Sequence, residues 1–471
     1  MAYRDLREFM SLLEKKGLLA RVRTEVDPSW EINGITNKLI REKGPAVLFE
    51  NIKGHKVPLV AGVFGTLERV ALALGIESAS DREVTEEWAR RIEHPIPPRL
   101  VKTGPCKENI LMGDKADIDA VFPPVLWHKN DGGPYIGTLS MVVTKDPDSG
   151  VQNSGIYRMM CRTKNETGLY IGSGQHGERH FARWRELHLG KPMPVAVATG
   201  TDPVFVLAGA SKLAHPPGED DYAGGLRKEP LELVKCETSD LAVPATSEII
   251  LEGEVYPEER KPDGPFGEYF GYQGDALMSN VFHLKAITHR NNPIFHGARE
   301  GYPSESDYTT MKAGEVEAYS VLRKINGVVD VHSPAGSIAL KLIVSIRKTL
   351  PGQVNGIIHS VWGNPRLVRR FKSIIVVDDN VDVRDPDQVE WALATHVQAD
   401  RNIMIASRCP GVGLDPSQPH SKRGWTAKYS IDATMPVEEY RAEGKEPPLM
   451  CDDLDIKARV EARWEKYGIN V

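Results

Sequence analysis

Disulfide chemistry is the first thing this chain lacks the means for. Its 471 residues include five cysteines, Cys106, Cys161, Cys236, Cys409 and Cys451, scattered without a C-x-x-C pair. An odd count argues against a disulfide framework, and a reducing compartment fits. No stretch approaches the ~18 consecutive apolar residues that a membrane span requires. The start, Met-Ala-Tyr-Arg-Asp-Leu-Arg-Glu, has no apolar core of a secretory signal, so the expected location is cytoplasmic. A basic footprint is missing as well: the formal net charge is −6, and acidic and basic residues are mixed along the chain, which argues against a nucleic-acid partner. No internal repeat or low-complexity tract is evident.

What is present reads as a multidomain chain, because its length exceeds the size at which one hydrophobic core stops growing. Asp5 opens a helical pattern with Leu6, Phe9, Met10, Leu12 and Leu13 on one side and Gly17 as its stop. Ala46–Phe49 and Val57–Ala61 read as strands and Leu67–Leu74 as a helix, giving a small N-terminal α/β lobe over residues 1–115. Within a central domain, 116–310, the pattern changes to short β-like runs with Gly/Pro turns: Leu139–Thr144, Val195–Thr199, Val204–Leu207, Leu231–Val234, Ser247–Leu251 and Val281–Ile287. Such a series suggests a barrel or sandwich. The rest, 311–471, alternates helix and strand: helix Gly314–Ile325, strands Val328–Val331, Leu342–Ile346 and Ser373–Val377. An acidic run to Asp385 follows, read as the cap of a helix over Pro386–Thr395 rather than as a magnesium site.

The stretch Asp263-Gly-Pro-Phe-Gly-Glu268 holds two carboxylates across a tight turn. Gly264 and Gly267 permit close backbone geometry and Pro265 stiffens it. Phe266 supplies an apolar wall that would raise the pKa of Glu268, as a general acid needs, while a neighbouring cation would lower it; the sequence does not say which prevails. D-G-P turns also serve as loop punctuation, but this one has company. Asn153-Ser-Gly-Ile-Tyr-Arg158, Gly174-Gln-His-Gly177 and Pro217-Gly-Glu-Asp220 offer an amide oxygen at Asn153, an imidazole at His176 and a carboxylate at Glu219. Such a mixed O/N set suits a divalent ion such as manganese.

On these residues the sequence resembles the UbiD family of reversible decarboxylases, which use prenylated FMN. The resemblance runs over nearly the whole chain, through Asp131-Gly-Gly-Pro-Tyr135, the Asn153–Arg158 run, Gln175-His176, Glu219, Leu233-Val-Lys-Cys-Glu237, Val243-Pro-Ala245, Glu248–Gly253, Gly264–Glu268, Leu414-Asp-Pro-Ser417 and Lys428 to Asp432-Ala-Thr434. It implies a central split β-barrel of the flavin-binding type and a C-terminal domain with an oligomerisation role. It also implies Mn²⁺ held by Asn153, His176 and Glu219 against the cofactor phosphate, with K⁺ a further candidate ion. Lys428 would be another phosphate contact, with Ser154, Gly155, Ile156, Tyr157, Arg158 and Gln175 lining the cofactor. Arg158, Asp263 and Glu268 would form the acid–base trio, with Glu268 delivering the proton. The first carboxylate is an aspartate where the fungal cinnamic-acid decarboxylases have glutamate, which leaves a shorter arm beside Arg158. A flavin prenyltransferase is the implied cofactor supplier, and a homodimer or homohexamer the implied assembly.

Carboxylate loss from an aryl or vinyl carbon leaves electron density that no side chain absorbs, so an organic electron sink is required. The resemblance implies an aromatic, heteroaromatic or α,β-unsaturated acid and CO₂ as substrate and product. His296 and Arg299, in Pro293–Glu300, are candidates for reading a second polar group on the substrate. Gly172-Ser-Gly-Gln-His-Gly177 formally fits G-x-G-x-x-G, but the stretch Lys191–Gly200 supplies no ribose-binding acid. The same turn still exposes N–H groups at a helix start, a place for an anion. His180, four residues after His176, does not complete H-E-x-x-H and reads as a packing or surface residue. The competing functions are an FMN-dependent oxidoreductase on the same fold and a non-catalytic flavin-carrying subunit.

Overall fold

The structure, a computed structural model, describes residues 3–77, 79–436, 443–445 and 454–469; Cys451 lies outside them. Asp5 accepts a hydrogen bond from the Glu8 N–H (2.9 Å) and starts the helix Leu6–Lys15, whose Leu6, Phe9, Met10 and Leu13 are buried. The strands Leu19–Val22, Ala46–Phe49 and Leu59–Ala61 form a sheet that is completed from far along the chain, where Phe295–His296 pairs in parallel with Leu59–Ala61.

The central sheet has eight strands, ordered Gln152–Ile156, Met141–Lys145, Met193–Thr199, Ile249–Asp263, Leu277–His289, Glu166–Leu169 and Cys161–Thr163, with Asn109–Met112 also on Leu277–His289. Among the described residues no ladder joins the two end strands, so the sheet is open. Its spine is the antiparallel pair Ile249–Asp263 and Leu277–His289, which puts Asp263 opposite Leu277 at the far end. Val204–Leu207, expected as a strand, belongs instead to the helix Pro203–Ala210. Asp202 caps that helix, Pro203 occupies its first turn, and Val204, Phe205, Val206 and Leu207 are all buried. A helix apolar on every side carries no 3.6-residue signature, so the short run mimics a buried strand. This helix and Glu219–Arg227 share one core with Leu6–Lys15 and Asp81–Ile92, which anchors Glu219.

The C-terminal sheet runs Val328–His332, Lys341–Ile346, Ser373–Asp378, Trp425–Ala433, Ile403–Pro410, with the middle three strands parallel. Asp385 accepts from the Asp387 and Gln388 N–H groups and caps the helix Pro386–His396, as its place after a strand predicts. The helix Thr310–Leu322 connects this sheet to the rest. Its Glu315 accepts hydrogen bonds from Thr85 (2.6 Å), Lys312 (2.7 Å), the Ser333 N–H (2.9 Å) and the His332 imidazole (3.0 Å). Lys312 also pairs with Asp81. Burial by itself would raise the Glu315 carboxyl, but Lys312 and His332 hold it below its ordinary value.

Removing one partner from a buried charge network strands the others. Glu315→Ala is therefore expected to lower unfolding stability by about 3–5 kcal/mol, read from denaturant melts. A loss within the scatter of a surface substitution would show that the network does not couple the lobes.

Candidate active site

Arg158, just past the strand Gln152–Ile156, is the meeting point of the two carboxylates. Its Nε donates to Asp263 Oδ1 (3.0 Å) and its Nη1 to Glu268 Oε1 (2.6 Å). The side chains retain only 7 %, 0 % and 12 % of their surface for Arg158, Asp263 and Glu268, so these charges interact with little screening. The guanidinium carbon lies 5.0 Å from the Tyr170 ring centre and 5.3 Å from that of Phe266, both within cation–π range. Arg158 Nη2 is buried and has no hydrogen-bond partner. A buried unpaired donor is costly, and a bound carboxylate would satisfy it. Burial raises the pKa of both Asp263 and Glu268 above the ordinary carboxylate value, against the opposing pull of Arg158. Burial thus outweighs the guanidinium at both carboxyls.

The turn between the two carboxylates is braced from residues 131–135. Gly264 has φ +91°, a conformation that favours glycine. The Gly132 N–H donates to the Pro265 carbonyl (2.8 Å), and a Cβ at Gly132 would collide with the Gly264 carbonyl oxygen. Asp131 Oδ1 accepts from the Gly267 N–H (2.9 Å) and from Gln273 Nε2 (3.1 Å). Tyr135 reaches Pro265 O (3.4 Å) and Asp263 Oδ1 (3.5 Å), and its ring packs against Phe266 with centres 4.4 Å apart and planes tilted by 49°. The sequence reading assigned no role to Asp131, Tyr135 or Tyr170. The first two were visible as part of a motif, but the turn they support is more than a hundred residues away.

A second cluster gathers around two helix starts. His176 is the first residue of the helix His176–Leu187 and Glu219 the first of Glu219–Arg227. Glu219 Oε2 accepts from the Ser154 N–H (2.7 Å), and its Oε1 lies 4.0 Å from His176 Nδ1. That gap exceeds a hydrogen bond but fits two ligands of one octahedral ion, which stand roughly 3–4.3 Å apart. Burial pushes the Glu219 carboxyl up to about 8, and a carboxylate, an imidazole and an amide oxygen together are a donor set that fits a divalent cation. Asn153 is buried beside Ser154 and donates from Nδ2 to the Tyr157 hydroxyl (3.5 Å), which leaves its carbonyl oxygen as the ligand end. Gln175 bonds the Gly172 N–H (2.9 Å) and gives no side-chain cap to its helix. Neither the Gln175 nor the Gly218 cap supplies a side-chain hydrogen bond, and an uncapped helix start is a place an anion can occupy. The strand before this turn, Glu166–Leu169, pairs antiparallel on both sides, so the glycine pattern does not sit in a parallel dinucleotide-binding unit.

Lys428 is buried on the strand Trp425–Ala433 and donates to the Val368 and Arg370 carbonyls (2.6 and 3.1 Å). The intervening Arg369 donates to Ser173 O (3.1 Å), in the loop that leads to His176. His296 is buried with its ring 5.9 Å from Phe64, and Arg299 bonds Asn33 (2.9 Å) and the Pro303 carbonyl (2.5 Å). Both serve the packing against the N-terminal lobe instead of lining an open turn. Glu300, next to Arg299 in the chain and near enough to Glu268 for the two charges to interact, was missed by the sequence reading. Ser306 donates to it (3.0 Å), and burial, with the Glu268 charge adding, pushes its carboxyl up to about 8. His180 is a packing residue, buried and bonded through Nδ1 to Thr144 (3.0 Å).

Three family profiles cover almost all of this architecture. The N-terminal, Rift-related and C-terminal domains of 3-octaprenyl-4-hydroxybenzoate carboxy-lyase match residues 10–98, 99–303 and 309–433. The chain belongs to the UbiD family of carboxy-lyases. An uncharacterized protein of Archaeoglobus fulgidus is 36 % identical, with 99 % of each chain covered. The UbiD-class enzyme HmfF from Pelotomaculum thermopropionicum, solved in complex with FMN, is 34 % identical with a TM-score of 0.84, over 96 % of this chain and 98 % of that one. An evolved dimeric form of HmfF was solved in complex with prFMN, at 32 % identity and TM-score 0.83, with 96 % and 98 % covered. Vanillic acid decarboxylase of Sedimentibacter hydroxybenzoicus in its closed form is 31 % identical with a TM-score of 0.90, and both chains are covered completely. No helix among the described residues is long and apolar enough to cross a membrane.

Glu300 gives the site a pH signature. Burial pushes its carboxyl from the ordinary 4.5 up to about 8, so the stability it permits is full below about pH 4.5 and is lost as pH rises toward about 8. Glu300→Gln should flatten the fall in metal-free stability between pH 5 and pH 8 relative to the parent chain, measured by thermal melts. Parallel pH curves for the two proteins would contradict the assignment.

Proposed function

We propose that this UbiD-family chain is a reversible non-oxidative decarboxylase of an aromatic, heteroaromatic or α,β-unsaturated carboxylic acid, using prenylated FMN and Mn²⁺. The observation that carries the reading is Arg158, with Asp263 and Glu268 on two of its nitrogens and the third left as a buried free donor. Prenylated FMN, when bound, supplies the electron sink that carbon–carboxylate cleavage needs. Asn153, His176 and Glu219 would hold the manganese, with the cofactor phosphate at the two helix starts and Lys428 beyond them. Asn153 and Arg158 are five residues apart, at most roughly 18 Å of extended chain, so the residues that would hold the cation and the acid–base trio lie close enough for one mononucleotide to touch both. The open eight-stranded sheet is read as the family's split barrel, and the assembly as a homo-oligomer.

The chain's own residues supply the rest. Arg158 Nη2 binds the substrate carboxylate and orients it. The carbon–carboxylate bond breaks, CO₂ departs, and its electron pair stays on the substrate side. Glu268 Oε1 remains on Arg158, and its free Oε2 carries the proton that replaces CO₂ on that carbon. Because burial outweighs Arg158 at Glu268, its carboxyl holds a proton to higher pH than an ordinary carboxyl does, as a proton donor requires. Asp263 holds the other edge of the guanidinium and stops Arg158 from rotating. Glu300, protonated at neutral pH, gives the pocket a polar wall without a charge. That feature and the vanillic acid decarboxylase likeness favour a small acid with a second polar group, such as a hydroxybenzoate or a heteroaromatic acid.

Protein produced with and without a flavin prenyltransferase tests the reading: carboxy-lyase activity on a panel of cinnamates and polar aryl acids should require the prenylated cofactor. Turnover with plain FMN and a nicotinamide would favour an oxidoreductase, and flavin binding without turnover a carrier. Glu268→Gln should keep cofactor and substrate binding and lose about 10²–10⁴-fold in turnover; near-parental decarboxylation would remove Glu268 as the donor. His176→Ala should lower manganese and flavin retention together in metal analysis and absorbance, because a single phosphate links them. Full retention of both would count against the bridging cation.

A further inference from the structure

Between the helices Pro203–Ala210 and Glu219–Arg227, His215 stands between two clusters of possible ligand atoms. On one side its ring, with His176 and Glu219, places three ligand atoms within 4.8 Å of one another; on the other it does the same with Asp146 and His180. The His176 and His215 ring centres are 4.9 Å apart at an interplanar angle of 32°. Neither nitrogen of His215 makes a hydrogen bond of ordinary geometry, and among the described residues only the Pro217 carbonyl lies near enough to act on a ring N–H. One N–H on that carbonyl would still leave the other ring nitrogen buried with a free lone pair, which a cation can meet.

We propose that His215 is a further ligand of the cation at the His176–Glu219 site and that Asp146 orients its ring. The inference rests on the cation reading above and adds to it a second imidazole. A metal-bound histidine characteristically gives its other ring N–H to a carboxylate, which fixes the tautomer and raises the basicity of the ligand nitrogen. Asp146 is placed for that role, with its carboxylate pinned by the Asp148 N–H (2.9 Å) and the Ser149 hydroxyl (2.9 Å). His180 is less suited to the cation, because its Nδ1 is engaged with Thr144 and it is not grouped with Glu219. Pro216 and Pro217 follow His215 directly and restrict the backbone that carries it. Chemically, two imidazoles with carboxylate and amide oxygens move the site away from Mg²⁺, which prefers oxygen alone, toward Mn²⁺, Fe²⁺ and Co²⁺.

The test uses the full chain loaded with Mn²⁺ and pulsed electron paramagnetic resonance, which counts directly coordinated imidazole nitrogens. The parent protein should show two, His215→Ala and His215→Gln one, and Asp146→Asn two with weaker binding. Mn²⁺ affinity by calorimetry should fall at least about tenfold in the His215 variants, and their preference for Co²⁺ over Mg²⁺ should narrow. Metal-free melting temperatures identify any variant that has lost its fold, and the glutamine variant keeps the comparison open if alanine does not fold. Mn²⁺ bound by the parent through one imidazole, with affinity unchanged in both His215 variants, would overturn the proposal and leave the cation reading standing. Failure of the parent to bind Mn²⁺ at all would overturn both.

Discussion

The burial of the Arg158 guanidinium is the constraint around which the site is organised. A cation taken that far from water must be compensated, and two carboxylates from one turn do so. Those carboxylates are themselves buried, so each depends on Arg158 as much as Arg158 depends on them. The arrangement leaves one guanidinium nitrogen without a partner and one Glu268 oxygen outside the ion pair. In the proposed mechanism the first of these atoms is a place for a carboxylate and the second carries a proton that can be handed over.

Holding that triad in register falls to backbone geometry. Asp263 ends the long strand of the central sheet, and Glu268 sits beyond a turn that Gly264 makes possible and that Asp131, Gly132 and Tyr135 clamp from the other side. Hydrogen bonds from a remote segment fix the turn more firmly than its own sequence would, because the local chain has too few contacts to order itself. The cation end is built on different physics. Two helices begin side by side, their first residues His176 and Glu219 face each other, and the shared core with the N-terminal helices keeps them there. The flavin-binding reading joins the two ends through the short run from Asn153 to Arg158.

Features governed by neighbouring residues were legible in the amino-acid sequence. Asp5 and Asp385 announce their helices because capping involves only the next few N–H groups, and the triad carboxylates are marked by a turn of unusual composition. Phe295–His296 joining the first sheet was not legible, since pairing at that range leaves no local trace. Val204–Leu207 misled for the opposite reason: complete burial erases the periodicity that separates a helix from a strand. Glu300 and His215 escaped notice because their importance comes from what surrounds them in space, burial in one case and two ligand clusters in the other. His296 and Arg299 looked available because a loop sequence does not reveal that another lobe covers it.

The claim at the centre is that burial outweighs Arg158 in setting the proton affinity of Glu268. Carboxyl titration by carbon-13 NMR on glutamate-labelled protein, with Glu268→Gln used for assignment, measures it in the parent and in Arg158→Gln. The account predicts a Glu268 pKa above the ordinary carboxylate value in the parent and a further rise once the guanidinium is gone. A parent value at or below the ordinary one, or a value that Arg158→Gln leaves unmoved, would contradict it.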